Sequence, residues 1–93
     1  MIKNDEPGVL ISRTPQSPPP QVTPGYNKLN KNVSMAIIKN LLLSYIYVWV
    51  KKGGAFWMYP TSVTPDNMLF GYQWDDRFWH FVKLDIDEID NIY

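Results

Sequence analysis

The chain has 93 residues and a mass of 10.9 kDa, which allows one small domain with a single modest hydrophobic core. Its nine basic and nine acidic side chains cancel to a formal net charge of zero, which excludes the overall basicity of histone-like or ribosomal proteins. It contains no cysteine and one histidine, so disulfides, thiolate catalysis and metal sites built from cysteines or several histidines are excluded as well.

Residues 1–32 form a proline-rich arm. Six of the eight prolines lie in the first 24 residues, and the triplet Pro18-Pro19-Pro20 is expected to be a short polyproline II rod. The segment buries too little apolar surface to offset its ordering entropy, so we expect it to be flexible in an isolated copy. The apolar triplet Val9-Leu10-Ile11 is interpreted either as a sticky patch or as a short strand that adds to the sheet edge of a neighbouring copy.

Neither the N-terminus nor the most apolar run has the pattern of a membrane-targeted protein. Asp5, Glu6 and Pro7 interrupt the basic-then-apolar pattern of a signal peptide. The run from 36 to 50 is too short to span a bilayer and contains Lys39. The sequence therefore predicts a protein with no signal peptide and no membrane span, located in the cytoplasm or at the surface of a spore or cell.

Residues 33–93 are predicted to form the folded domain, which begins with a helix from about residue 34 to residue 44. Ser34 is a typical N-cap, and Ile38 and Leu41 follow at helical spacing. The residues after this helix are aromatic or β-branched, so we expect the chain to pass directly into a strand.

Strands then follow one another at short intervals, and 13 of the 14 aromatic residues lie between positions 45 and 93. Large side chains alternate between the two faces of each predicted strand. After the fourth strand the apolar spacing changes from two to three, which indicates a helical turn or a last irregular strand. The predicted elements are the strands Tyr45–Val50, Ala55–Tyr59, Met68–Trp74 and Phe78–Leu84, joined by a hairpin at Lys52-Gly53-Gly54, a loop from Thr61 to Asn67 and a turn at Asp75–Arg77.

Successive strands joined by short turns require an antiparallel meander. Because both faces of these strands carry large side chains, a curled sheet accommodates them better than a flat one. The sequence therefore predicts an α+β fold, in which a proline-rich arm precedes a short N-terminal helix and a small antiparallel β-barrel of four or five strands.

The order of helix, strand, glycine turn and three further strands resembles the Sm-like and SH3-like small barrels. The steps Tyr59-Pro60, Leu69-Phe70-Gly71-Tyr72 and 84–89 are also similar to the WYL-type domains of bacterial regulators. The arginines that mark the WYL family are largely missing, with Arg77 alone nearby, so its nucleotide or nucleic-acid sensing is not implied here.

Residues 33–92 as a whole resemble a group of small proteins from spore-forming Firmicutes, which combine a proline-rich head with an aromatic-rich C-terminal domain. The resemblance implies no particular activity. The segments that carry it are Tyr45–Trp49, Phe56–Thr61, Gly71–Trp74 and Asp85-Ile86.

Two features resemble sites but are interpreted as structural. The run from Asp85 to Asp90 lacks the central glycine and distal glutamate of an EF-hand, so it is interpreted as a solvated acidic face, with weak calcium binding as the alternative. His80 lies between two aromatic residues of a predicted strand, and no nucleophile has a spacing that recommends it as a partner. The sequence therefore predicts no enzymatic activity, no cofactor and no resident metal.

The aromatic residues carry the strongest functional signal. Each large ring hides roughly 150–250 Å² when buried, which is more than one small core accommodates, so we expect some rings to be exposed or covered by another chain. Tyr and Trp dominate interface hot spots. The chain is therefore predicted to be a structural or interaction module that forms a homo-oligomer, or binds another protein, through its aromatic surface, with Val9-Leu10-Ile11 contacting a neighbouring subunit. The predicted interface residues are Tyr45, Tyr47, Trp49, Trp57, Tyr59, Tyr72, Trp74 and Trp79.

The first alternative is a small barrel that binds RNA or single-stranded DNA through Lys51, Lys52 and Arg77 beside the aromatic residues. Acidic residues outnumber basic ones nearby, which disfavours nucleic acid. The second alternative is a carbohydrate-binding surface made of exposed tryptophans. Residues 1–65 carry seven basic and two acidic side chains, and residues 66–93 carry two basic and seven acidic ones, so we expect contacts between copies to be steered by charge and to weaken in salt.

Overall fold

The computed structural model of the chain describes residues 14–26 and 33–93, and the statements below concern those residues. They contain a short helix and five strands, with a 3₁₀ turn at Ile86–Glu88 before the last strand. The elements are α1 (Met35–Lys39), β1 (Ile46–Val50), β2 (Ala55–Val63), β3 (Met68–Trp74), β4 (Trp79–Asp85) and β5 (Ile89–Ile92).

The five strands form one antiparallel sheet in the order β4-β3-β2-β1-β5. This confirms the predicted antiparallel meander and the short N-terminal helix. The predicted closure into a barrel is wrong, because no ladder joins β4 to β5 among the strands of the described residues. The connection from β4 to β5 is only three residues long, and it directs β5 onto β1, so no strand pairs with the outer side of β4.

The open sheet is nonetheless curved. At one end of the 3₁₀ turn, the Ile86 amide donates to the carbonyl oxygen of Asn67, just before β3. At its other end, the Glu88 carbonyl oxygen accepts from the amide of Lys51, just after β1. In a flat sheet these two points would lie about 10 Å apart across the strands and about 36 Å apart along them. Three residues span at most about 10 Å, so the sheet must bend for the 3₁₀ turn to reach both.

The aliphatic side chains of the strands share the inner face of this curve and form the core with α1. Ile38 of α1 is fully buried, because its side chain points into the sheet while neighbouring Ile37 remains exposed. Burial of such side chains stabilises the fold by roughly 1.5–3 kcal/mol each. The buried core consists of Ile38, Ile46, Val48, Val50, Met58, Leu69, Ile86 and Ile89.

The helix is shorter than predicted, since α1 ends at Lys39 rather than near residue 44. Ser34 caps its N-terminus as expected, accepting a hydrogen bond from the Ile37 amide. Leu43 then adopts a left-handed conformation with φ of 66°, which no helical residue has, and its amide donates to Pro60 of β2 at 2.7 Å. The turn that follows α1 is thus fixed to β2 at Leu43, and the helix cannot continue through this residue.

Strand β2 is longer than predicted and passes through Pro60 to Val63, so the predicted loop from Thr61 to Asn67 is shortened to residues 64–67. A bulge between Pro60 and Ser62 accommodates the proline, which is where prolines occur in sheets. Pro60 lies opposite Gly71, where a Cβ would come within 2.5 Å of the Tyr59 carbonyl oxygen. The glycine therefore permits a close approach of β3 to the bulge.

The remaining boundaries agree with the sequence within about one residue at each end. Strand β3 has the predicted limits, whereas β1 and β4 each begin one residue later than predicted. The hairpin after β1 turns through Gly53 and Gly54, whose φ values of 102° and 104° favour glycine. The change of apolar spacing after residue 84 corresponds to both predicted alternatives, the 3₁₀ turn followed by β5.

Candidate functional site: the aromatic face and the proline-rich segment

All eight aromatic residues predicted as interface side chains lie on one side of the sheet, opposite the aliphatic core. The ladder pairs Tyr47 with Trp57, and Tyr59 with Tyr72, so each pair shares a face. Trp57 and Tyr72 are only 9% and 7% exposed, and the other six are half-buried. We call this surface the aromatic face; it comprises Tyr45, Tyr47, Trp49, Trp57, Tyr59, Phe70, Tyr72, Trp74, Trp79 and Phe81.

The rings contact one another across the strands. Tyr47 packs edge-on against Trp49 and Trp57, with ring centroids 5.0 and 5.2 Å apart. Trp79 of β4 stacks on Tyr45 at 5.8 Å, although β3 and β2 lie between β4 and β1, which Tyr45 immediately precedes. Contacts of this kind add roughly 0.5–1.5 kcal/mol beyond the buried area. The aromatic face is therefore a preformed layer of mutually supported rings.

The proline-rich segment 14–26 lies across this face, and Ser17 fixes its first part. The indole Nε1 of Trp79 donates to the Ser17 carbonyl oxygen at 3.1 Å. The hydroxyl groups of Ser17 and Tyr45 lie 2.8 Å apart and form a second hydrogen bond. These bonds fix the beginning of the segment where Trp79, at the start of β4, stacks on Tyr45, just before β1.

Tyr26 fixes the other end of the segment to β1 and β5, on the same face of the sheet. Its ring packs edge-on against Trp49 of β1 with centroids 5.5 Å apart, and its hydroxyl donates to Asp90 Oδ2 of β5 at 2.7 Å. The hydrogen bond to Asp90, foremost, and partial desolvation raise the pKa of the Tyr26 hydroxyl above its ordinary value of 10.0. The neutral phenol is therefore the form that holds the segment in place.

Between these two ends the prolines face Trp57 and Trp74. Pro19 is buried, whereas Pro18 and Pro20 on either side remain exposed. The triplet, together with Trp57, Trp74 and Asp76, lines a cleft of about 310 Å³. A second cleft of about 270 Å³ shares Thr23, Trp57, Trp74 and Asp76 with the first. The segment thus crosses the strands and covers part of the aromatic face, with two clefts remaining beside it.

This placement was not anticipated from the sequence, which led us to expect the arm to contact a neighbouring copy. Val9-Leu10-Ile11, the triplet predicted to make that contact, lies outside the described residues. The sequence analysis also missed Ser17, Tyr26 and Asp90 as contact residues. Tyr26 carried a usable signal, because it is the one aromatic residue outside positions 45–93 and it directly follows the prolines.

The β3–β4 turn beside the clefts has its own hydrogen-bond network. Asp75 Oδ1 accepts from the amides of Arg77 and Phe78 at 2.8 and 2.7 Å, and Asp75 Oδ2 pairs with His80 Nε2. The bond from the Phe78 amide, followed by those from His80 and Arg77, lowers the pKa of Asp75 to about 2. The charged carboxylate therefore shapes the turn that presents Asp76 to the clefts.

The three side chains considered for nucleic-acid contact are exposed at the turns of the sheet. Lys51 and Lys52 lie in the β1–β2 turn, where the Lys51 amide donates to Glu88 of the acidic 3₁₀ turn. Arg77 lies over the ring of Phe78, 5.8 Å from its centroid. The acidic residues predicted as a solvated face are thus close to the two lysines in the fold.

No cluster of three or more histidine, cysteine, aspartate or glutamate side chains in 14–26 and 33–93 is arranged to hold a metal ion. No helix within the same two segments is both long and apolar enough to cross a membrane.

Comparison with known proteins gives no family assignment. The chain matches no family model, no curated protein and no solved structure.

Proposed function

We propose that this chain is a non-enzymatic interaction module that self-associates through its aromatic face. The proline-rich segment of one copy occupies the aromatic face of another, in place of that copy's own segment. Monomer and assembly then use the same contacts, as in domain swapping. The observation that carries the proposal is the placement of 14–26 across the aromatic face, with Pro19 buried.

The small number of contacts that hold the segment supports exchange. Its polar contacts involve Ser17 at one end and Tyr26 at the other. Hydrogen bonds of this kind contribute about 0.5–1.5 kcal/mol each, so detachment of the segment costs little free energy. The aliphatic core contains no residue of the segment, so detachment leaves that core intact. Six residues, 27–32, separate the segment from the folded domain along the sequence.

The chemistry of the occupant favours a protein ligand over the alternatives. The segment that lies on the aromatic face is a polypeptide, and prolines facing tryptophans are a common mode of peptide recognition. Lys51 and Lys52 lie near Glu88, which reduces the attraction of that end of the sheet for RNA or single-stranded DNA. We also propose that the curled sheet is related to the Sm-like and SH3-like barrels, because its strand order places β5 beside β1.

The test is the molar mass of the full chain as a function of its concentration. A tethered segment acts at an effective concentration in the millimolar range, so exchange between copies is expected only as the protein approaches about 1 mM. Sedimentation equilibrium should show a mass of 10.9 kDa at micromolar concentration and a rising mass near 1 mM.

Two matched variants make the test specific. Pro19→Gly removes the buried ring on which both the closed monomer and the assembly depend, so the segment should detach in both and the association should fall. Val22→Gly changes a side chain that is 81% exposed and should behave as the wild type does. A monomer at every concentration, or equal association of both variants, would contradict the proposal.

A further inference from the structure

The segment does not fill the aromatic face. The clefts of about 310 and 270 Å³ lie along it, bounded on the sheet side by Trp57 and Trp74. Each is large enough for several side-chain atoms, and both reach the surface beside Asp76. A ligand with larger side chains than those of the chain's own segment would therefore bury more of the two tryptophans.

The bonds made by the segment define the backbone that such a ligand needs. An extended proline-rich chain forms no internal hydrogen bonds, so its carbonyl groups remain available as acceptors. The indole of Trp79 uses one of these, the Ser17 carbonyl, and Tyr45 bonds the hydroxyl of the same residue. The aromatic face thus recognises a hydroxyl-bearing residue that directly precedes prolines, with the second proline of the triplet buried.

The charge of the clefts defines the side chains that should follow the prolines. Asp76 lines both clefts, and its carboxylate belongs to the acidic C-terminal third of the chain. The chain's own segment places uncharged Gln21 and Thr23 at this point. A lysine or arginine at either position would face an acidic side chain that the present segment leaves without an opposite charge.

We propose that the aromatic face also binds proline-rich segments of other proteins that carry a basic residue just after the prolines. The chain's own segment is then a built-in competitor, which occupies the face until a better-matched segment displaces it. This inference rests on the proposed function only in treating the aromatic face as a protein-binding surface, and it does not require self-association.

The probes are two synthetic peptides with the sequence of residues 14–26, one unchanged and one with Gln21→Arg. They are titrated into the full chain at micromolar concentration, with tryptophan fluorescence and calorimetry as readouts. Because the tethered segment competes, Pro19→Gly in the protein should tighten peptide binding about tenfold relative to the wild type. Tyr26→Phe, which removes only the hydroxyl bond to Asp90, should tighten it less and provides a second route if Pro19→Gly is poorly folded.

The Gln21→Arg peptide should bind about two- to fivefold more tightly than the unchanged one, as expected for an exposed ion pair. That advantage should disappear in the Asp76→Asn protein, to which the two peptides should bind with equal affinity. No detectable binding to any of the proteins, equal binding to wild type and both weakened-arm variants, or an arginine advantage that survives Asp76→Asn would each overturn the inference.

Sedimentation of the same proteins at concentrations up to about 1 mM separates this inference from self-association. Peptide binding by a chain that remains monomeric at 1 mM would retain the inference and reject the proposed self-association. Assembly near 1 mM without peptide binding would retain the proposed self-association and reject this inference.

Discussion

The two faces of the sheet are built from the same strands but are covered in different ways. The inner face carries aliphatic side chains and is closed by α1, with Ile38, Val48, Met58 and Leu69 all 0% exposed. The outer face carries the rings and is covered by a proline-rich segment held at its two ends, while Phe81 remains 51% exposed. The inner face is a closed aliphatic core, and the outer face has a cover that, in our proposal, is exchanged between copies.

This difference shows how a small chain accommodates more large side chains than its core can bury. The rings support each other in the plane of the aromatic face, so they need only a thin layer above them. A segment with fixed proline geometry supplies that layer at a low entropic cost. We therefore expect substitutions on the aliphatic face to lower the free energy of unfolding, and substitutions on the aromatic face to weaken the docking of the segment.

The largest effect is expected from Leu69→Ala on the aliphatic face. Its side chain is fully buried, so truncation should lower the free energy of unfolding by about 2–5 kcal/mol through lost burial and the cavity left behind. Phe81→Ala on the aromatic face is the comparison, and should cost clearly less because that ring is half-exposed. Urea denaturation followed by circular dichroism measures both, and equal losses would contradict the assignment of stability to one face.

The close approach of β2 and β3 predicts the next effect. Gly71→Ala places a methyl group within 2.5 Å of the Tyr59 carbonyl oxygen and 2.7 Å of Pro60 Cα, so the bulge must shift. We expect a loss of about 1–3 kcal/mol in the free energy of unfolding. Gly25→Ala is the matched control, because a Cβ there meets nothing within 4 Å. A change of less than 0.5 kcal/mol for both (about the size of an ordinary surface substitution) would mean that β2 and β3 do not approach this closely.

On the aromatic face, Trp79→Phe should weaken the docking of the segment with little effect on the fold. It removes the indole donor to Ser17 and retains an aromatic ring, at a cost of about 0.5–1.5 kcal/mol in docking. Trp74→Phe is the control, because it shortens a ring in the same clefts and leaves the bond to Ser17 in place. Proteolysis within residues 14–26 should become faster in Trp79→Phe than in Trp74→Phe, and the opposite order would contradict the account.

Alkaline pH should release the Tyr26 end of the segment. The pKa of Tyr26 is raised above 10.0 in the folded chain, so its contribution to docking is complete below pH 10 and is lost as the pH rises through the higher folded value. Ionisation also places a negative charge next to Asp90. Tryptophan fluorescence should therefore change above pH 10 in the wild type by more than in Tyr26→Phe, which lacks the group, and identical pH curves would exclude this role.

The smallest effect is expected in acid, at the β3–β4 turn. The pKa of Asp75 falls from 3.8 to about 2 on folding, so its contribution to stability is present above pH 3.8 and is lost as the pH falls towards 2. The melting temperature of the wild type should therefore decrease more between pH 4 and pH 2 than that of Asp75→Asn. A parallel decrease in both proteins would mean that the carboxylate does not stabilise the turn.

Local patterns in the sequence predicted the faces of the sheet but not its closure or its cover. Alternation assigned Trp57 and Tyr59 to one face and Phe56 and Met58 to the other, because side chains in a strand alternate with a period of two. The helix end was missed because the left-handed Leu43 is fixed by a contact with Pro60, far along the chain. Long-range contacts of this kind leave no mark in local periodicity.

The same reason explains why the arm was expected to be flexible. Composition measures what a segment can bury by itself, whereas residues 14–26 use a surface made by other strands. Pro19 is buried and lines a cleft with Trp57 and Trp74, which are 38 and 55 positions away in the sequence. The excess of aromatic residues did indicate that a cover was needed, but it did not indicate which chain supplies it.

The most direct test of this account is the exchange of the Trp79 indole proton with solvent, followed by NMR on the full chain at micromolar concentration. If the segment lies on the aromatic face, this proton is bonded to the Ser17 carbonyl and should exchange at least about tenfold more slowly than in Pro19→Gly. Exchange at the same rate in both proteins, as fast as in a free indole, would show that the segment does not occupy the face and would contradict the account.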